Sequence, residues 1–328
     1  MITGIFRTRL SLRLGVKALC GKQAKLHTQY KHVNLKMSPD IQDSCDCFVK
    51  DLNKTLSKDG QLDFKSKLPA KTPQYHKHLM LVSPPNSAGQ DPEWKAVWQS
   101  KLELNPKWPY SAIGELKKHL KETHRGDMIL VYAISIARGE LASLPNCAKK
   151  ARFLAIPDMK VYEVSEDEVE EFAHFLGEGK IKNSKKVSFL DFLKGANATS
   201  KLLRAQSDPR EGERFRIFEG QDYRKNIVLV CGHHQRDARC GIIAPQLIKE
   251  LEPRVDSDLA IVSHIGGHKF AGNVIFYNYL GVNDQNTATV DGLWFGKILP
   301  STIPVLLKHL SKNEIISPWF RGSYSLKE

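Results

Sequence analysis

The chain has 328 residues, 41% hydrophobic and 26% charged, the balance of a soluble globular protein with about two domains rather than of a disordered one. Its longest near-continuous apolar run, Met128 to Ala137, is interrupted by Ser135 and falls short of the about 20 residues a spanning helix requires, so no integral membrane segment is expected. Six cysteines are too few for a disulfide scaffold, and the net charge of +13 does not imply a nucleic-acid partner, because eight Lys/Arg and no acid lie in residues 1–39 and the remainder is only mildly basic.

Residues 1–39 read as a mitochondrial transit peptide or disordered tail. Ile5, Leu12, Val16 and Leu19 fall on one helical stripe and Arg9, Arg13 and Lys17 on the adjoining one, in an acid-free, hydroxyl-bearing start. The expected location is mitochondrial, with the matrix favoured over the intermembrane space.

Residues 40–205 read as an N-terminal α/β domain. It opens with a poorly ordered lead-in over residues 40–75, where Cys45 and Cys47 are taken as flexible surface thiols. His78–Ser83 is a buried-strand candidate, Glu93–Leu104 and Ile113–Leu120 carry apolar residues at helical spacing, and Met128–Ile136 is a second strand rich in β-branched residues. Phe153–Ile156 and Lys160–Val164 follow as strands, and Ser165 with Glu168 forms a capping-box pattern ahead of a helix. Residues 195–224 shift in composition, with Gly195-Ala-Asn-Ala-Thr-Ser200 and Ser207-Asp-Pro-Arg-Glu-Gly212, and read as a linker or long surface loop.

Residues 206–328 have a clearer rhythm. Asn226–Cys231 is a strand, Ile242–Leu251 a helix, Leu259–Ser263 a strand, Val274–Leu280 and Leu293–Leu299 a strand pair, and Ile303–Leu310 a helix. Strand–helix–strand followed by a hairpin and a helix is the order of a thioredoxin-like domain.

Two motifs at strand ends carry the reactive side chains. The first runs from Cys231 to Cys240 through Gly-His-His-Gln-Arg-Asp-Ala-Arg. The second is Ser263-His264-Ile-Gly-Gly-His268-Lys-Phe-Ala-Gly-Asn273. If the two strands are neighbours, both loops emerge at the carboxyl ends, where functional groups gather in α/β folds. Gly266 and Gly267 allow a tight path between the two histidines.

Two thiolates and two imidazoles make a metal site. Structural zinc sites usually place their cysteines two to four residues apart, whereas eight residues separate Cys231 from Cys240. The inventory matches a [2Fe–2S] centre with two Cys and two His, as in Rieske proteins, but the order differs, with both Cys in one loop and both His in the other. His233 and His234 are rival imidazoles, and Arg236, Asp237 and Arg239 are candidates for holding the loop.

The stretches Arg236–Gly241 and Ser263–Asn273, with the terminal Trp294-Phe-Gly and Trp319-Phe-Arg-Gly, closely resemble the fungal sucrase/ferredoxin-like family of thioredoxin-like [2Fe–2S] ferredoxins. The resemblance implies a [2Fe–2S] cluster held by Cys231, Cys240, His264 and His268. It implies a C-terminal thioredoxin-like ferredoxin domain preceded by a smaller or degenerate α/β domain. The expected activity is electron transfer or redox maintenance rather than classical enzyme catalysis, with redox proteins and the iron–sulfur assembly machinery as partners. Competing readings are a thiol–disulfide protein using Cys231 and Cys240, against which their wide spacing counts, and a structural zinc domain.

Overall fold

The computed structural model describes residues 28–73, 75–84, 98–122, 128–142, 149–177 and 216–324. The transit-peptide reading of residues 1–27, most of the expected linker, and the part of the Glu93–Leu104 helix before Trp98 lie outside them.

The elements run β1 (Lys31–Val33), α1 (Pro39–Thr55), β2 (Lys77–Val82), α2 (Ser111–Glu122), β3 (Ile129–Arg138), β4 (Lys150–Ile156), β5 (Lys160–Ser165) and α3 (Val169–Gly177). They continue with β6 (Gln221–Asp222), β7 (Ile227–Cys231), α4 (Ala238–Leu251), β8 (Asp258–Val262), β9 (Val274–Val282), β10 (Ala288–Phe295), α5 (Ile303–Leu310), β11 (Glu314–Ile316) and β12 (Phe320–Tyr324). The protein is mixed α/β and thioredoxin-like.

Ten strands form one sheet in the order β12-β10-β9-β7-β8-β3-β2-β4-β5-β6. Within it the same unit occurs twice. β2 and β3 are parallel and joined through α2, β4 lies antiparallel on the other side of β2, and β5 follows antiparallel. β7 and β8 are parallel and joined through α4, with β9 and β10 in the corresponding places. A helix closes each unit, α3 in the first and α5 in the second.

The two units are joined by antiparallel pairing of β3 with β8, where Ile134 faces Val262. Ser263 N–H donates to the Ala133 carbonyl at 2.8 Å, and Ala133 N–H donates to Ser263 Oγ at 3.0 Å. The domains expected on either side of residue 205 therefore share one continuous sheet.

Central position explains the strand sequences. All five residues of β7, Ile-Val-Leu-Val-Cys, are buried, as are all five of β8. Strands covered on both faces carry unbroken apolar runs rather than an alternation. α4 lays Ile243, Leu247 and Leu251 against them, all at zero exposure. Its start is fixed by Asp237, whose carboxylate accepts from the Arg239 backbone N–H at 3.1 Å. The expected capping box is formed: Glu168 Oε2 accepts from the Ser165 N–H at 2.8 Å.

Two expectations are corrected. Residues 40–75 are not a poorly ordered lead-in throughout, because α1 spans Pro39–Thr55 and buries Cys45 and Leu52. Nor is the whole of 1–39 a loose tail, because Lys31–Val33 pairs in parallel with Glu314–Ile316.

Candidate metal centre

Cys231 is the last residue of β7, and Cys240 lies in the first turn of α4. Both are buried. The loop between them turns back over the strand end, where Gly232 N–H donates to the Val262 carbonyl at 3.1 Å and Cys231 N–H to the Asn273 carbonyl at 2.9 Å. β8 ends beside β7, so the segment after Val262 delivers His264 to the same place. Ligand atoms of Cys231, Cys240 and His264 all lie within 4.8 Å of one another. His268 Nδ1 is 3.3 Å from His264 Nε2, with the ring centroids 5.1 Å apart. Unlike the two cysteines, His268 is open to solvent, its side chain 44% exposed.

The His264–His268 loop depends on two glycines. Gly266 and Gly267 have φ of +79° and +76°, the left-handed region that disfavours side chains. A Cβ on Gly267 would come within 3.0 Å of the Arg321 guanidinium. That guanidinium donates to the Gly266 carbonyl at 3.1 Å and to Asn273 Oδ1 at 2.8 Å, while Asn273 Nδ2 donates to the Gly267 carbonyl at 3.0 Å. Arg321 and Asn273 clamp the loop from behind. Both lie inside the recognisable sequence stretches, but neither role was readable from them.

The rival imidazoles are accounted for otherwise. His233 Nε2–H donates to the Gln99 carbonyl at 2.8 Å and the Trp98 carbonyl at 3.2 Å, and its Nδ1 accepts from the His264 backbone N–H at 3.3 Å. Both nitrogens are engaged in the neutral ring, and burial lowers its pKa. His233 ties the ligand loop to the N-terminal unit. His234 is exposed and lies against Gly241. Asp237 and Arg239 form a forked ion pair, 2.8 Å between Oδ2 and Nη2, and Arg239 donates to the Gln61 carbonyl at 3.0 Å. Asp237 Oδ2 also stands 3.9 Å from His268 Nε2. Arg236 is exposed.

The electrostatics suit a metal. A hydrogen bond from Cys240 and the proximity of His264 pull the Cys231 thiol below its ordinary range despite burial, and Cys240 is raised by the same bond and by burial. His264 Nδ1 is buried with no hydrogen-bond partner. Leaving such a nitrogen unsatisfied costs about 1–3 kcal/mol, a cost that coordination would remove. The grouped donors are two sulfurs and the His264 imidazole, with His268 next to His264 but outside that group, and such a set fits a soft, thiolate-preferring centre.

Cys45 and Cys47, the other cysteines among the described residues, do not join it. Cys45 is not a surface thiol: it is buried, with its sulfur 3.3 Å from Ser301 Oγ, while Cys47 is exposed. Two positions apart on a helix, they face different sides and do not form a pair. Cys20 and Cys147 lie outside the described residues.

Among the described residues, no helix is long and apolar enough to cross a membrane. No solved structure matches this chain. "Altered inheritance of mitochondria protein 32" of Eremothecium gossypii is 42% identical over 304 residues, covering 91% of this chain and 94% of that protein. The protein of the same name from Kluyveromyces lactis is 40% identical, covering 90% of each chain. That from Saccharomyces cerevisiae is 36% identical, covering 96% of this chain and 99% of its own. These names connect the relatives with mitochondria. The family model described as sucrase/ferredoxin-like matches residues 68–322, a span that takes in both units and all four candidate ligands, and the chain belongs to that family.

Proposed function

We propose that Cys231, Cys240, His264 and His268 hold a [2Fe–2S] cluster and that the protein is a mitochondrial electron-transfer or redox-maintenance protein. The observation that carries this reading is the convergence of two buried sulfurs and the His264 ring within 4.8 Å at the end of a central strand, with a buried imidazole nitrogen left unpartnered. The ferredoxin part of the family's name and the mitochondria in the relatives' name agree with it.

The bound cluster supplies one-electron chemistry, with imidazole ligands raising its potential over an all-thiolate set. The chain's own residues set the terms. Cys231 gives up its proton first, being already pulled down by Cys240 and His264. Burial of both sulfurs keeps water and oxidants away from the thiolate side. His268 is the open ligand and marks the side on which a redox partner approaches. Burial lowers the His268 pKa, and Asp237, 3.9 Å from its Nε2, opposes that shift in part.

The test is purification of the full chain under anaerobic conditions. Iron and acid-labile sulfide in equal amounts, visible absorption, and a paramagnetic signal on reduction are expected. A colourless protein containing zinc would overturn the reading in favour of a structural zinc site. A colourless, metal-free protein cycling Cys231 and Cys240 between dithiol and disulfide would return the thiol–disulfide reading.

A further inference from the structure

A cleft of about 190 Å³ opens between the two units against His264. Tyr132 and Ser263, at the β3–β8 junction, contribute to its lining. Lys101 and Lys117 line it from the N-terminal unit and Arg236 from the C-terminal unit, while Glu103 is the one carboxylate on the lining. Lys117 Nζ stands 3.8 Å from Glu103, at the outer limit of an ion pair. Lys101 and Arg236 have no ion-pair partner among the described residues. Burial lowers the Lys117 pKa, and Glu103 offsets that only in part. Three cations facing one carboxylate across a concave space repel one another, and an anion between them removes the repulsion. An apolar cavity of about 150 Å³ accommodates benzene, so this volume admits a small organic molecule.

We propose that this cleft binds a small organic anion carrying carboxylate or phosphate groups, held by Lys101, Lys117 and Arg236 beside His264. The site is built from both units and exists only because they share the β3–β8 junction. Its three cations do not depend on what the sulfurs hold, although His264 borders both sites.

Calorimetric titration of the full chain at low ionic strength tests it, with succinate and inorganic phosphate as probes and neutral succinamide as the control. Saturable binding of at least one anion and none of succinamide is expected. Lys117→Met and Arg236→Gln should each weaken it at least tenfold, while Lys118→Met, on the same helix but off the lining, should leave it unchanged. Saturation by succinate alone assigns the carboxylate class, and saturation by phosphate alone the phosphate class. Succinamide binding as well as succinate, no saturation by either anion, or equal weakening by Lys118→Met would overturn the proposal. Iron content of the same samples separates the two ideas. An iron-free chain that binds the anion loses the cluster and keeps this site, whereas an iron-loaded chain that ignores both anions loses this site alone.

Discussion

The two halves of the sheet are built alike and equipped differently. Val82 pairs with Ile134 in the β2–β3 ladder, and Cys231 pairs with Val262 in the β7–β8 ladder. The next N–H in each, from Ser83 and from Gly232, donates to the carbonyl of that partner. Ile134 and Val262 also face each other across the junction, so an approximate two-fold relation exchanges the units. Under it Val82 corresponds to Cys231 and Ile136 to His264. The same strand end carries aliphatic groups in one unit and the candidate metal ligands in the other. The scaffold therefore supplies the place and the side chains supply the chemistry. The N-terminal unit contributes instead the carbonyls that fix His233 and a wall of the adjoining cleft.

The largest effect that would break this comparison comes from exchanging a ligand. Cys231→Ser should reduce iron per chain at least tenfold, while Val82→Ala at the corresponding position should leave iron intact and cost about 2 kcal/mol of stability or less. Iron analysis beside urea titration checks both, and loss of iron in Val82→Ala would mean the units do not divide their roles in this way. A smaller effect sharpens the assignment of the imidazoles. His264→Cys or His268→Cys replaces a neutral donor with an anionic one, so a retained cluster should have its potential lowered by roughly 100 mV or more. Potentiometry that finds no shift would remove the exchanged histidine from the ligand set.

The smallest effect concerns a histidine of the N-terminal unit that packs against the C-terminal one. His78 is fully buried, its Nδ1 2.8 Å from the Tyr277 hydroxyl, and burial pushes its pKa down to about 3 from 6.5. The unfolded chain binds a proton below pH 6.5 that the folded chain refuses. Stability is thus fully present above that pH and is lost as pH falls toward the folded value, by up to about 1.4 kcal/mol per pH unit. Urea midpoints measured between neutral and mildly acidic pH should fall in the native protein and fall less in His78→Gln.

The strands were legible because central, doubly covered segments must be continuously apolar, and the helix starts because Ser165 and Glu168 satisfy each other locally. Helix α1 was hidden by composition. Ile41, Cys45, Phe48, Val49 and Leu52 do stand at helical spacing, but Asp, Ser and Lys crowd between them. The four candidate ligands were recognisable from their two short motifs. What sequence could not give was the β3–β8 junction and the brace on His233, whose carbonyl partners lie 134 and 135 residues away. An imidazole between two cysteines reads as a ligand until its hydrogen bonds are known.

The junction also decides what survives if the chain is divided. A fragment beginning near residue 216 would present β8 as a naked outer strand, with unpaired N–H and C=O groups where Ile134–Arg138 had been. Such a strand is a template for self-association. The N-terminal unit thus covers an edge that division would expose, and the C-terminal unit is not a detachable module.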